Sequence, residues 1–143
     1  MNEIEKIVKV AEDLLKGRES VALSAIDASG YPRIYEMEVM TNSNVKTLYF
    51  TTGIYSDKVA NYKKNEKAGI SFCEGEHCIS IIGTITVIDH PEEKRRLWST
   101  ERTSYLNHSS KGELYCVLQF SSETLYYYLD EEKGFFKFDD IFV

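Results

Sequence analysis

The stretch that most restricts the fold is residues 20–52, where "SVALSAID", "YPRIYEMEVM" and "VKTLYFTT" are separated only by the polar turns "ASG" and "TNSN". Each segment is rich in β-branched or aromatic residues and is bounded by Gly, Asn, Asp or Ser, which is the pattern of a strand meander. Sheet is therefore the main architecture, and the other segments are read as additions to it.

Ahead of the meander, Ile4, Ile7, Val8, Ala11, Leu14 and Leu15 recur at helical spacing with charged residues between them, and Gly17 offers a C-terminal cap. After it, "SDKVANYKKN" reads as a short helix. "AGISFC", the turn "EGEH" and "CISIIGTITVID" read as a hairpin with a long second strand, in which Gly83 marks a bulge or a bend. Pro91 at a first helical position, followed by Glu92 and Glu93, starts another helix, expected to run to about Tyr105. "NHSSKG" is a loop, "ELYCVLQF" and "TLYYYL" are further strands, and "GFFKFDDIFV" is a final strand or an apolar tail. This order is not alternating βαβ, which disfavours a parallel doubly wound sheet. Long antiparallel strands with inserted helices suggest a closed or split barrel. The 143 residues fit one domain, taken as residues 1–143.

A formal net charge of -6 and a pI near 5.1 argue against general nucleic-acid binding, which needs a basic face. Any anion must be held locally. No run approaches the roughly 18 apolar residues of a membrane span, and "MNEIEKIVKV" is too charged for a signal peptide, so no membrane partner and a cytoplasmic location are expected. Three cysteines without an export signal fit reduced thiols.

The candidate anion site lies just after the third strand. Ser56 is a good N-cap residue, and the free backbone N–H groups of the next turn point towards whatever lies at the helix start. The positive helix end, the Lys58 ammonium and the hydroxyls of Thr51 and Thr52 could surround a phosphate, and Arg33 could add a forked guanidinium. Ser-x-Lys is common, so on these residues alone a capped, solvated surface helix is the plainer reading. "CEGEHC" looks superficially like a metal cluster, but no second Cys or His pair follows, so Cys73 and Cys78 are read as flanking a hairpin turn and no metal is expected. His90 is placed at a helix start and His108 in a loop. Cys116 sits in a strand where burial is its expected role, and no G-x-S-x-G, G-x-G-x-x-G or Walker pattern occurs.

Taken together, "VALSAIDASGYPRIYEM", "LYFTTGIYSDKVANYKKNEKAGISF" and "ISIIGTITVIDHPEEKRRLW" resemble the FMN-binding split-barrel family related to pyridoxamine 5'-phosphate oxidase, in particular its short general stress protein branch. The resemblance covers roughly residues 3–130 and rests on the ordered set of motifs. It implies a mainly β (α+β) fold, a six-stranded antiparallel split β-barrel with peripheral helices, acting as a homodimer with FMN at the subunit interface. By the same resemblance Arg33 and Met37 lie on a cofactor-facing strand, and Phe50, Thr51 and Thr52 line the ring and ribityl region. Ser56 and Lys58 match a phosphate-binding Ser-x-Lys, Ile79 to Gly83 match a strand passing beside the flavin, and Trp98 matches a tryptophan of the interface helix.

The sequence also departs from the family. Asp57 stands where oxidases of vitamin B6 metabolism carry Arg, and "FKFDDIFV" lacks their Arg-x-His substrate motif, which argues against pyridoxal phosphate synthesis. Glu36 replaces a proline of the stress-protein branch. Strand alternation puts Arg33, Tyr35 and Met37 on one face and turns Glu36 away from it. The leading expectation is an FMN-dependent oxidoreductase acting on a small molecule, with NADH or NADPH as a possible electron donor. The alternatives are a non-catalytic protein binding flavin, haem or a deazaflavin, and a dimeric barrel that has lost its ligand. Tyr31, Tyr35 and Tyr105 are possible ring neighbours without assigned roles.

Overall fold

The computed structural model describes residues 2–100, 107 and 110–141, with the side chains of residues 110 and 111 excepted. Helix α1 (Glu3–Lys16) starts with a capping box: the Asn2 side chain accepts from the Glu5 N–H at 2.8 Å and the Glu5 carboxylate reaches back to the Asn2 N–H. Its apolar stripe, Ile7, Ala11, Leu14 and Leu15, is buried. The meander then forms as β1 (Ser20–Ile26), β2 (Pro32–Glu38) and β3 (Thr47–Gly53). Helix α2 (Asp57–Lys64), β4 (Lys67–Glu74), β5 (His77–Ile88) and α3 (Pro91–Trp98) follow. After a 3-10 turn (Ser110–Leu114) come β6 (Tyr115–Leu129) and β7 (Glu132–Lys137).

All pairings are antiparallel, in the order β2-β1-β4-β5-β6-β3, with β7 added to β6. Six strands thus make the expected path, and β7 is a seventh. The end strands β2 and β3 are drawn together at their shared turn, where the Met40 N–H donates to the Tyr49 carbonyl and the Asn44 N–H to that of Thr47, each at 2.9 Å. They form no ladder with each other, so the sheet stays open, as in a split barrel. One face carries the main core, with Leu23, Ile70, Ile81, Leu125 and Phe136 in a single cross-strand row. A smaller cluster of Met40, Leu97, Trp98 and Val117 lies under α3.

Three features differ from the sequence reading or sharpen it. "ELYCVLQF" and "TLYYYL" are one strand, because the polar residues between them form a bulge and not a turn: Ile82 pairs Thr124 while Gly83 pairs Ser122, leaving Glu123 as the extra residue. Gly83 is required there, since a Cβ would stand 2.1 Å from the Ser121 carbonyl oxygen. Helix α3 ends at Trp98, not near Tyr105. There the Ser99 and Thr100 hydroxyls donate to the carbonyls of Arg96 and Leu97 at 2.8 and 3.2 Å, satisfying groups that a further turn would have used. Tyr105 and His108 lie outside the described residues. The "EGEH" hairpin and the final strand form as expected. Among the described residues no helix is long and apolar enough to cross a membrane.

Candidate functional site

The site is built where β3 hands over to α2. Gly53 ends the strand, the Ile54 N–H donates to the Leu114 carbonyl at 3.0 Å, and the Ser56 N–H turns back to the Gly53 carbonyl at 3.1 Å. Val59 and Tyr62 anchor α2 in the main core, and the Tyr62 hydroxyl donates to the Ser24 carbonyl of β1 at 2.8 Å. Burial, with Tyr35 nearby as a second cause, raises the Tyr62 pKa far above the ordinary phenol value. The helix start is thereby fixed in place.

Ser56 occupies the N-cap position with extended backbone (φ −71°, ψ 154°), yet its side chain makes no capping hydrogen bond. Its Oγ is buried and has no partner among the described residues. A buried hydroxyl left unpaired is costly, about 1–3 kcal/mol, so an orphan at a helix N-terminus marks a position suited to an outside acceptor. Two residues on, Lys58 places its ammonium 4.7 Å from the centroid of the Tyr35 ring. Arg33 lies over the same ring at 5.8 Å. The Tyr35 hydroxyl is itself buried, also without a partner among the described residues. Two cations sharing one aromatic surface, beside an uncapped helix start, form a local positive site on a chain of net charge -6.

The structure therefore brings Arg33, Tyr35 and Lys58 together. Tyr35 carries more of the geometry than its sequence standing suggested. The signal that finds it is the two-residue spacing of β2, which puts it on the face of Arg33 and Met37. Met37 is half-buried and packs against the main core. Glu36 points the other way and accepts a hydrogen bond from the Ser20 hydroxyl at 2.7 Å, as alternation required. Asp57 is exposed in the first turn of α2, where a carboxylate favours the helix dipole.

The remaining candidates divide along β3. Phe50 is fully buried in the main core, and Thr52 is also buried on that side. Thr51 faces the other way and accepts from the indole N–H of Trp98 at 3.1 Å, its own hydroxyl directed to the Met40 sulfur at 3.5 Å. Trp98 is only 2% exposed, so its ring is enclosed by its own chain and leaves almost no face for a ligand. Lys94, which the sequence presents as an ordinary helix lysine, is buried. Its ammonium donates to the carbonyls of Gly112 and Tyr115 at 3.1 and 3.0 Å and lies 5.5 Å from the Trp98 ring centroid. Nothing in its spacing distinguishes it, because its partners lie beyond α3. Among the described residues no group of three or more His, Cys, Asp or Glu is placed to hold a metal ion. His77 instead contacts the Asp130 carboxylate at 2.9 Å.

Residues 7–128 match the sequence profile of the family described as pyridoxamine 5'-phosphate oxidase. The chain belongs to that family. No curated protein matches it. Among solved structures, it is similar to a Clostridium acetobutylicum protein related to general stress protein 26 of B. subtilis, of the pyridoxinephosphate oxidase family. That likeness has TM-score 0.81 and 24% identity, covering 96% of this chain and 98% of the other. General stress protein 26 from Bacillus anthracis superposes with TM-score 0.67 at 16% identity, covering 95% and 99%. A protein named F420 reductase gives TM-score 0.63 at 14% identity, covering 80% and 94%. At these identities the likeness is one of fold, and it agrees with the open, antiparallel sheet described above. For this pyridoxamine 5'-phosphate oxidase family member, a flavin nucleotide is the ligand class that the family makes plausible.

Proposed function

We propose that the chain binds FMN and acts as a flavin-dependent oxidoreductase on a small molecule, without making pyridoxal phosphate. The observation that carries this reading is the buried, unpartnered Ser56 Oγ at the start of α2, beside the Lys58 and Arg33 cations. A phosphate monoester fits that donor set: a hydroxyl and free helix N–H groups to donate, and two cations to balance a dianion. Ser56, Lys58 and Arg33 hold the phosphate, with Thr51, Met37 and the backbone of β3 as the neighbouring surface. The enclosed Phe50 ring backs β3 on the main-core side, and the Trp98 ring holds Thr51 on the opposite side. When bound, FMN supplies hydride and electron transfer at its ring, and the protein supplies orientation and electrostatics. Tyr35 fixes the two cations by sharing its ring between them. Glu36, tied to Ser20, keeps its charge off the phosphate.

We take the active form to be a homodimer in which the cofactor lies between subunits. Tyr31, Ile34 and Tyr55 favour this, since they stand more than two-thirds exposed on and next to the elements that carry the site. The protein with the name F420 reductase supports a second reading, in which the ligand is a deazaflavin.

The test is the visible spectrum of the protein after incubation with FMN and desalting. A retained band near ~450 nm is expected of bound oxidised flavin. A colourless protein that also fails to bind FMN in titration overturns the reading, and retention of a deazaflavin but not FMN selects the second. Anaerobic mixing with NADH or NADPH then tests turnover, and unchanged flavin absorbance makes the protein a binder and not a reductase.

A further inference from the structure

At the end of the sheet formed by the β4–β5 hairpin, two of the three cysteines stand directly opposite each other, Cys73 on β4 and Cys78 on β5. The turn between them is Gly75-Glu76, with Gly75 at φ +60°, the positive first central position of a two-residue hairpin turn. Glu74 and His77 close that turn. Closing pairs exchange hydrogen bonds, and the ladder alternates, so the next pair, Cys73 with Cys78, is a non-hydrogen-bonded one.

An independent contact agrees. The Cys73 carbonyl is turned away from β5 and accepts from the Arg18 guanidinium at 2.6 Å. In non-hydrogen-bonded pairs the Cα atoms lie about 4.5 Å apart and the side chains are at their closest. That separation falls inside the roughly 4.4–6.8 Å range that a disulfide spans. Both residues share the outer face with Ser71, Ser80 and Tyr126, so neither sulfur is locked in the core. Cys73 is exposed and Cys78 half-buried, and both are free thiols. Hydrogen bonding to Cys73, with burial as a second cause, raises the Cys78 pKa above the ordinary thiol value, and the exposed Cys73 sulfur is the one that a small disulfide reaches first.

We infer that Cys73 and Cys78 are a reversible dithiol–disulfide pair, a modification site made of none of the residues assigned to the phosphate, oxidised by small organic disulfides. The Cys73 thiolate attacks one sulfur of the small disulfide, RSSR. One RS⁻ leaves and takes up the proton that Cys73 lost, giving a Cys73–S–S–R adduct. Cys78 then loses its proton, attacks the Cys73 sulfur and expels the second RS⁻, which is protonated in turn. Two protein thiols are oxidised by two electrons, and RSSR is reduced to two RSH. The short separation makes the second step intramolecular and needs no change in strand register.

The experiment is to incubate the full chain with glutathione disulfide, quench with acid, alkylate under denaturing conditions and map the peptides by mass. The expected product is lighter by two hydrogens, with Cys73 linked to Cys78, Cys116 alkylated, and full reversal by dithiothreitol. Cys78→Ser should instead accumulate a stable glutathione adduct on Cys73, since the resolving sulfur is gone. Cys73→Ser should hold its adduct on Cys78 for the same reason, with no intramolecular disulfide formed. A native chain that keeps the adduct on Cys73 with Cys78 alkylated would overturn the inference, and so would one in which both thiols stay reduced.

Discussion

Replacing Ser56 by Ala separates two meanings of the same residue. An ordinary N-cap serine stabilises its helix, and its loss costs about 0.5–2 kcal/mol. Here the cap bond is missing and the buried Oγ has no partner, so the ligand-free protein carries the desolvation of that hydroxyl without a return. Removing it should leave ligand-free stability unchanged or raise it by up to about 1 kcal/mol, a shift in Tm of roughly 2–4 °C for a chain this size. The same change should weaken FMN binding by about 1.5–3 kcal/mol, the value of a hydrogen bond to a charged acceptor, or roughly 10- to 150-fold in Kd. Lys58→Ala should weaken binding to a similar degree, with a steeper loss at low salt. The assay is paired: thermal unfolding without ligand, and flavin fluorescence titration of both variants. Opposite signs for stability and affinity are the signature of a ligand contact. If Ser56→Ala lowers ligand-free stability by about 1 kcal/mol and leaves the FMN affinity untouched, then Ser56 is only a helix cap and the phosphate site has been misplaced.

Gly83→Ala should destabilise the protein by about 3 kcal/mol or more, or prevent folding, because the new methyl collides with the Ser121 backbone, which cannot move without breaking the β5–β6 ladder; denaturant unfolding measures it, and a loss under about 0.5 kcal/mol would show that the bulge is not built as described. Trp98→Phe should cost about 1–3 kcal/mol through the lost indole donor and reduced packing, and unchanged stability would mean that the Thr51 contact contributes nothing. Tyr62 binds its proton more tightly when folded, so its contribution is complete below the unfolded pKa of about 10 and is lost as pH rises through the folded value. Stability should therefore fall from about pH 10 upward, and Tyr62→Phe should flatten that fall in denaturant unfolding followed against pH; an identical alkaline slope in the variant would refute the assignment.

The parts of the fold that follow from local chemistry were readable in advance. Alternation along "RIYEM" placed Arg33 and Tyr35 together and sent Glu36 to Ser20, because a strand has only two faces. Ser56 and Lys58 were readable for the same reason: a capping residue and a cation two positions apart must share the first turn of α2. What could not be read depended on partners distant in sequence. "SSE" has a turn's composition, and only the glycine opposite, on β5, makes it a bulge in a continuous strand. The enclosure of Trp98 and the burial of Lys94 both depend on segments beyond α3 that no periodicity within the helix reports. The lone status of the Ser56 hydroxyl is likewise a fact about surroundings and not about sequence.

The pairing order has a consequence for how the molecule is made. Every strand from β1 to β5 except β3 has a ladder partner available by the time β5 has been synthesised, whereas among the described residues β3 pairs only with β6, whose residues 115–121 come some seventy positions later. On the ribosome, then, β3 waits. All the residues assigned to the phosphate lie in the first half of the chain, yet the strand that delivers Ser56 to its place has no ladder partner until β6 emerges. A nascent chain stopped before Tyr115 would carry Arg33, Ser56 and Lys58 and still lack the strand that pairs with β3.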